Sequence, residues 1–410
     1  MKYPAGDDRK LKKIIIELAK SSSEPFYLYD EAVILRNRKT VDDCFFWQDG
    51  YINYFPVREN PNPSLLSVLW NAGSGVLACG STELSLCKRL GFSGDRVMYQ
   101  PDIPDAEGAA IALEMDAVWL VTSPSLLPTK PCNTVILRYC PDQPTRSAVS
   151  SRTKNGLTKA ELLDMLRILH VRKVPRIGLE VQLKSFDYSA HAYSNKAKVL
   201  FTLLEEIILQ SEAQISIVNL GDAVRQDIKD TSIQFSFEQE ITFIRKLYEK
   251  LPLPHRPVIQ TALSRHILES AGVLVSRVIE IRHLHQKQLI LNVSAAQFLR
   301  PALFRSSKNI SILAMSKKPA PPPQLYNVVG TIPEEFDRLV PDRVLLSPTV
   351  NDICVIHDVG CGARSMPMLY RFCPICAEYS INTDGNVRKI AEGRSSAEVM
   401  EFLIGCNYDL

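Results

Sequence analysis

The strongest constraint on the fold of this chain is a regular alternation that runs from Ile52 to Thr261. Short apolar runs recur at residues 52–57, 75–79, 96–100, 117–122, 134–139, 176–182, 214–220 and 257–261. Between them lie stretches with helical spacing, such as 83–90, 159–169, 195–209 and 237–251. Brief runs that are apolar on both faces are the mark of parallel strands covered by helices. Eight of them in succession predict an α/β fold with a TIM-type (β/α)8 barrel.

The flanks follow other rules. Residues 7–20 have helical spacing and end at Ser21-Ser22-Ser23, after which 25–30 read as a strand leading into the barrel. Past Gly272 the helical period fades, and 273–282, 288–293, 311–315, 344–346, 353–358 and 374–381 read as strands of a β domain. Pro319-Ala320-Pro321-Pro322-Pro323 predicts a stiff extended loop, and 396–406 a final amphipathic helix. The expected division is therefore an N-terminal helix over 1–24 packing on the β domain, a barrel over 25–272, and a C-terminal β domain over 273–410.

Composition narrows the function. With 48 basic and 45 acidic residues among 410, the chain lacks the charge bias of a nucleic-acid or membrane-surface binder. No apolar run approaches the roughly 20 residues that span a bilayer. The first 20 residues read as a helix rather than an export signal, so a cytoplasmic protein with reduced cysteines is expected.

Several motifs carry a resemblance. Phe55–Pro63 reads F-P-V-R-E-N-P-N-P, with Pro61 and Pro63 stopping regular structure and Ser64 a candidate N-cap. It resembles the Y-A-V-K-A-N-P-N stretch of the fold-type III decarboxylases that act on diaminopimelate, ornithine and arginine. The turn after Gly75, V-L-A-C-G-S-T-E-L, resembles the family's second strand and turn. Residues 328–337 read V-V-G-T-I-P-E-E-F-D and resemble V-V-G-P-I-C-E-S-x-D. Residues 358–374 follow D-x-G-A-Y-x-x-S-M-x-x-x-Y-N-x-x-P, keeping Asp358, Gly360, Ser365, Met366 and Tyr370. The resemblance implies an alanine-racemase-like barrel with a C-terminal β domain and, as family cofactor, pyridoxal phosphate (PLP).

The positions that would serve the cofactor differ. Where the family lysine forms the imine stands Arg58, whose guanidinium stays protonated and cannot act as the amine. In Gly178-Leu179-Glu180-Val181-Gln182-Leu183-Lys184-Ser185, Gln182 replaces the stacking histidine. The glycine-rich phosphate turn becomes Gly221-Asp222-Ala223, bringing a carboxylate towards a dianion. Like charges 4 Å apart repel by roughly 4 kcal/mol at an effective dielectric of about 20. The E-P-G-R carboxylate is replaced in Ala262-Leu263-Ser264-Arg265, which keeps only the arginine. The phosphate tyrosine becomes Gly362, and the catalytic cysteine becomes Pro333, while Glu334 and Asp337 match their motif.

The resemblance thus implies a degenerate homologue, a pseudoenzyme without covalent PLP that acts by binding a partner enzyme or ligand. The alternative is a decarboxylase-like enzyme refitted for an amino acid or related carboxylate. Arg58, Glu180, Gln182, Lys184, Gly221, Asp222 and Arg265, with Glu334, Asp337 and Tyr370, are the pocket candidates. A small carboxylate or phosphate would suit so charged a mouth. Lys154 and Lys184 are the only amines that could replace the missing lysine. The family's shared active sites imply a homodimer or a heterodimer with an active decarboxylase homologue. Cys354, His357, Cys373 and Cys376 have a zinc-like spacing, but residues three apart on a strand point to opposite faces, so ordinary strand residues are preferred.

Overall fold

The computed structural model describes residues 7–141, 156–183, 191–210, 214–222, 237–252, 254, 256–304, 308–315, 322–346, 348–362 and 364–405. In chain order it begins with α1 (Asp7–Ser21), β1 (Phe26–Asp30) and α2 (Glu31–Cys44). The alternation then supplies β2 (Ile52–Pro56), α3 (Pro63–Asn71), β3 (Gly75–Ala78), α4 (Ser81–Arg89), β4 (Val97–Tyr99) and α5 (Ala106–Glu114). It continues through β5 (Val118–Val121), β6 (Thr134–Tyr139), α6 (Lys159–Val171), β7 (Arg176–Val181), α7 (Ala192–Gln210), β8 (Ile215–Asn219), α8 (Phe237–Tyr248) and β9 (Val258–Thr261).

Strands β2 to β9 form a closed parallel barrel in sequence order, β9 pairing back onto β2 through Ile52↔Gln260. Every one of the eight expected strands is there, each within two residues of its expected bounds. Side chains two apart on a strand share a face, and Tyr54, Leu77, Met98, Val118, Leu120, Ile136 and Ile217 fill the interior. Gly178 completes this layer on β7: a Cβ there would lie 2.9 Å from Ile136 Cγ1 and 3.0 Å from Ile217 Cβ. Each large apolar side chain so buried contributes about 1.5–3 kcal/mol.

Local chemistry sets the helix starts. Thr158 and Glu161 make a reciprocal capping box on α6. On α3 the N-cap is Asn62, whose side chain accepts from Ser64 N at 3.0 Å, with Pro63 in the first helical position. Ser64 is therefore the donor in this cap and not the cap itself.

The second unit gathers the described residues of 1–37 and 267–410, whereas the barrel unit holds those of 38–266, so the boundary falls inside α2. After α9 (Ser264–Leu268), this unit contains β10 (Gly272–His283), β11 (Lys287–Leu291), α10 (Arg300–Phe304), β12 (Ile310–Leu313), β13 (Gln324–Val329) and β14 (Arg338–Leu345). It ends with β15 (Ile353–His357), β16 (Ala377–Ile381), β17 (Val387–Ala391) and α11 (Ser396–Ile404). The main sheet runs β14-β13-β11-β10-β1-β16-β17, and β15 joins β12 to β10. The strand expected to lead into the barrel, β1, instead lies in this sheet, antiparallel to β10 and parallel to β16. Leu11, Ile15 and Ala19 of α1 share a buried cluster with Phe26, Leu28, Val273, Val275 and Val355. Among the described residues, no helix is long and apolar enough to cross a membrane.

Candidate functional site

The barrel strands stop being apolar at their C-terminal ends, the end of such barrels that carries function. One step of two residues beyond the interior layer takes Leu77 to Cys79, Met98 to Gln100, Ile136 to Arg138, Gly178 to Glu180, and Ile217 to Asn219. These five side chains, with Arg58 and Asp222, line a cavity of about 390 Å³. That lies at the small end of ligand pockets, which hold ~300–1,000 Å³.

Arg58 enters from the three-residue helical turn Val57–Glu59 that follows β2. Its side chain is exposed, and Nη1 donates to Cys79 Sγ at 3.1 Å. Burial pushes that thiol up to about 11, although Arg58 opposes the shift, so the arginine's partner is neutral. Cys79 N in turn donates to Glu83 Oε2 at 2.7 Å, which fixes the turn after β3.

Opposite charges are buried together in the wall. Arg138 Nη2 lies 3.1 Å from Glu180 Oε1 and donates to Gln100 Oε1 at 2.9 Å, with only 10% and 3% of the Arg138 and Glu180 side chains exposed. Lys196 on α7 joins them: a Cβ on Gly221 would lie 2.6 Å from Lys196 Nζ and 3.0 Å from Glu180 Oε1. Burial pushes the Lys196 amine down, Glu180 pulls it up, and Arg138 adds to the depression. Two buried cations thus share one fully buried carboxylate, and Arg138 Nε has no hydrogen-bond partner.

The turn after β8 faces the same cavity. Gly221 adopts φ +62°, a conformation that glycine supplies without strain, and its N–H donates to Asn219 Oδ1 at 2.7 Å. Asp222 follows, with Oδ1 buried and without a hydrogen-bond partner. Burial raises its carboxyl to about 7 against the pull of Arg265, Lys196 and Arg58, with Glu59 pushing the same way as burial. Gln182 also lines the cavity, its Nε2 donating to Leu183 O at 3.1 Å.

Of the sequence candidates, Arg58, Glu180, Gln182, Gly221 and Asp222 therefore come together, and Arg265 acts on Asp222 through its charge. Lys154 and Lys184 lie outside the described residues. Glu334, Asp337 and Tyr370 belong to the second unit and form a cluster there. Tyr370 donates its hydroxyl to Glu334, an interaction that lowers the carboxyl's pKa. Asp337 is buried, accepts from Ala295 N at 2.5 Å and Ile332 N at 2.8 Å, and is raised by burial to about 6. Pro333 lies in the same stretch, between Ile332 and Glu334.

The zinc-like residues do not converge. His357 Nε2 pairs with Ser311 Oγ at 2.8 Å, Cys373 Sγ lies 3.8 Å from Ser294 Oγ, and burial raises Cys354 and Cys376 to about 12. Among the described residues, no three His, Cys, Asp or Glu side chains are grouped to hold a metal.

Sequence reasoning missed Arg138, Gln100, Cys79 and Lys196. The first three carried a usable signal, because each stands two residues beyond an interior apolar side chain on its own strand. Lys196 carried one of another kind, since it stands on the apolar face of α7, four and seven residues before the buried Leu200 and Leu203.

Known proteins match this arrangement over nearly the whole chain. Protein TabA of Pseudomonas amygdali pv. tabaci is 26% identical over 391 residues, covering 93% of this chain and 91% of that protein. A probable chloroplastic diaminopimelate decarboxylase of Oryza sativa is 23% identical, covering 92% of this chain and 79% of that protein. Diaminopimelate decarboxylase from Helicobacter pylori, solved with L-lysine, superposes with a TM-score of 0.80 at 18% identity, covering 95% and 98% of the two chains. The enzyme from M. jannaschii, also with L-lysine, gives 0.81 at 19% identity, covering 94% and 93%. A family model described as the C-terminal sheet domain of pyridoxal-dependent decarboxylases matches residues 26–360. The chain belongs to the pyridoxal-dependent decarboxylase family of ornithine, diaminopimelate and arginine decarboxylases.

Proposed function

We propose that this chain is a family member that does not hold PLP as an imine and acts by binding a small anionic ligand at the barrel mouth. One feature supports the reading: Arg58 stands where the resemblance puts the family lysine, and no lysine is among the described lining residues, the Lys196 amine beside Gly221 being buried next to Glu180. PLP held in the family's way needs an amine, a carboxylate for the ring nitrogen and donors for the phosphate. The lining residues offer a guanidinium, Ala262 and a Gly221 N–H already spent on Asn219. They do not fit that cofactor as an internal imine.

An open, charged cavity supports ligand binding over a scaffold filled in from within. The family resemblance supports a dimer, formed with a second copy or with an active decarboxylase homologue. A second reading, turnover at a refitted site, is favoured by Asp222, a carboxyl near 7 with an unpartnered oxygen at the cavity.

Carbon dioxide release from diaminopimelate, ornithine, arginine and lysine, each with added PLP, separates these readings. Neither the wild type nor Arg58→Lys should show turnover above a protein-free control. Measurable decarboxylation by either protein sinks the proposal.

A further inference from the structure

Four carboxylates line the cavity: Glu59, Asp102, Glu180 and Asp222. The buried cations cannot balance a further anion, because Arg138 is committed to Glu180 and Gln100 while Lys196 abuts Glu180 at Gly221. Among the described lining residues, Arg58 reaches the cavity with a neutral partner.

Two backbone donors in the described part of the turn after β8 are also used. Leu220 N–H donates to Gln260 O at 2.8 Å, and Gly221 N–H to Asn219 Oδ1 at 2.7 Å. An anion-binding turn works through free backbone N–H groups. This one turns two of them inward and presents the Asp222 carboxyl in their place. Once Asp222 is ionised, that buried Oδ1, without a partner, calls for a donor and repels an acceptor.

Resting on the ligand-binding reading above, we infer that the site selects against phosphates and takes a phosphate-free carboxylate that carries its own hydrogen-bond donor. The ligand carboxylate sits on Arg58, where a guanidinium offers paired N–H groups. Its hydroxyl or amine faces Asp222, which sets the selectivity. A phosphate dianion placed on Arg58 would meet the same carboxylates with two charges where a carboxylate brings one.

Isothermal titration of the purified full-length chain tests this with propionate, lactate, inorganic phosphate and PLP as probes. Lactate should bind about tenfold tighter than propionate, and phosphate and PLP at least about tenfold weaker than lactate. Asp222→Gly should raise phosphate affinity about tenfold or more and erase the preference for lactate over propionate. Asp222→Asn, which keeps the side-chain volume, should raise phosphate affinity in the same direction. Phosphate or PLP matching lactate in the wild type overturns the selectivity and leaves ligand binding at Arg58 intact. Binding of no probe, with Arg58→Ala silent, defeats the ligand-binding reading and this inference together.

Discussion

The barrel interior and the barrel mouth share the same strands, two residues apart, and obey opposite rules. On β6, Ile136 packs against apolar neighbours, while Arg138 on the same face is held by Glu180 and Gln100. On β7, Gly178 yields space to Ile136 and Ile217, while Glu180 carries a buried charge. Apolar burial needs matching shape but no specific partner. A buried ion cluster demands that every charge keep its partner, so losing one member exposes the full desolvation cost of the rest. The mouth is therefore the expensive layer, which supports the proposed ligand site.

The sharpest challenge to that contrast is Glu180→Ala, which strands Arg138 and Lys196. A loss of about 3–5 kcal/mol is expected by urea denaturation, and a loss below that of a surface substitution would show that water rescues the cluster. Ile136→Ala, one layer down, should cost about 2–5 kcal/mol through a cavity with no change in pH dependence.

Asp222 makes the mouth, unlike the interior, sensitive to pH. Its carboxyl rises from 3.8 to about 7 on folding, so the folded chain binds the proton more tightly than the unfolded one. The associated stability is fully present below about pH 4 and is lost as the pH climbs through about 7. Asp222→Asn should then exceed the wild type at pH 8 by up to a few kcal/mol, the gap closing towards pH 4. Thermal unfolding across that range reads the sign directly; a gap that widened on acidification would reverse it. The smallest effect belongs to Arg58→Ala. Its exposed side chain should leave stability within about 0.5 kcal/mol, although carboxylate binding is lost, a split that calorimetry and denaturation measure together.

The barrel was legible because its strands are apolar on both faces and evenly spaced. β1 misled because F-Y-L-Y-D is as suited to a buried strand of the mixed sheet as to a barrel. β17, V-R-K-I-A, escaped notice because its first three residues are exposed and break the apolar pattern. β14 was read too short because Pro341 and Asp342, the latter at φ +49°, interrupt it. At the site, Arg58 and Asp222 stood out as departures from a motif. Arg138 was readable by parity along β6, whereas Lys196 reaches Gly221 from a helix, through a long-range contact that no local pattern encodes.

A visible spectrum of the purified protein titrated with PLP shows whether the cavity holds the cofactor as an imine. No imine band is expected and, after borohydride, no cofactor fixed to any lysine by peptide mass spectrometry. An absorbing adduct trapped on one lysine, at a single equivalent, would overturn the proposal and identify the amine that serves in place of Arg58.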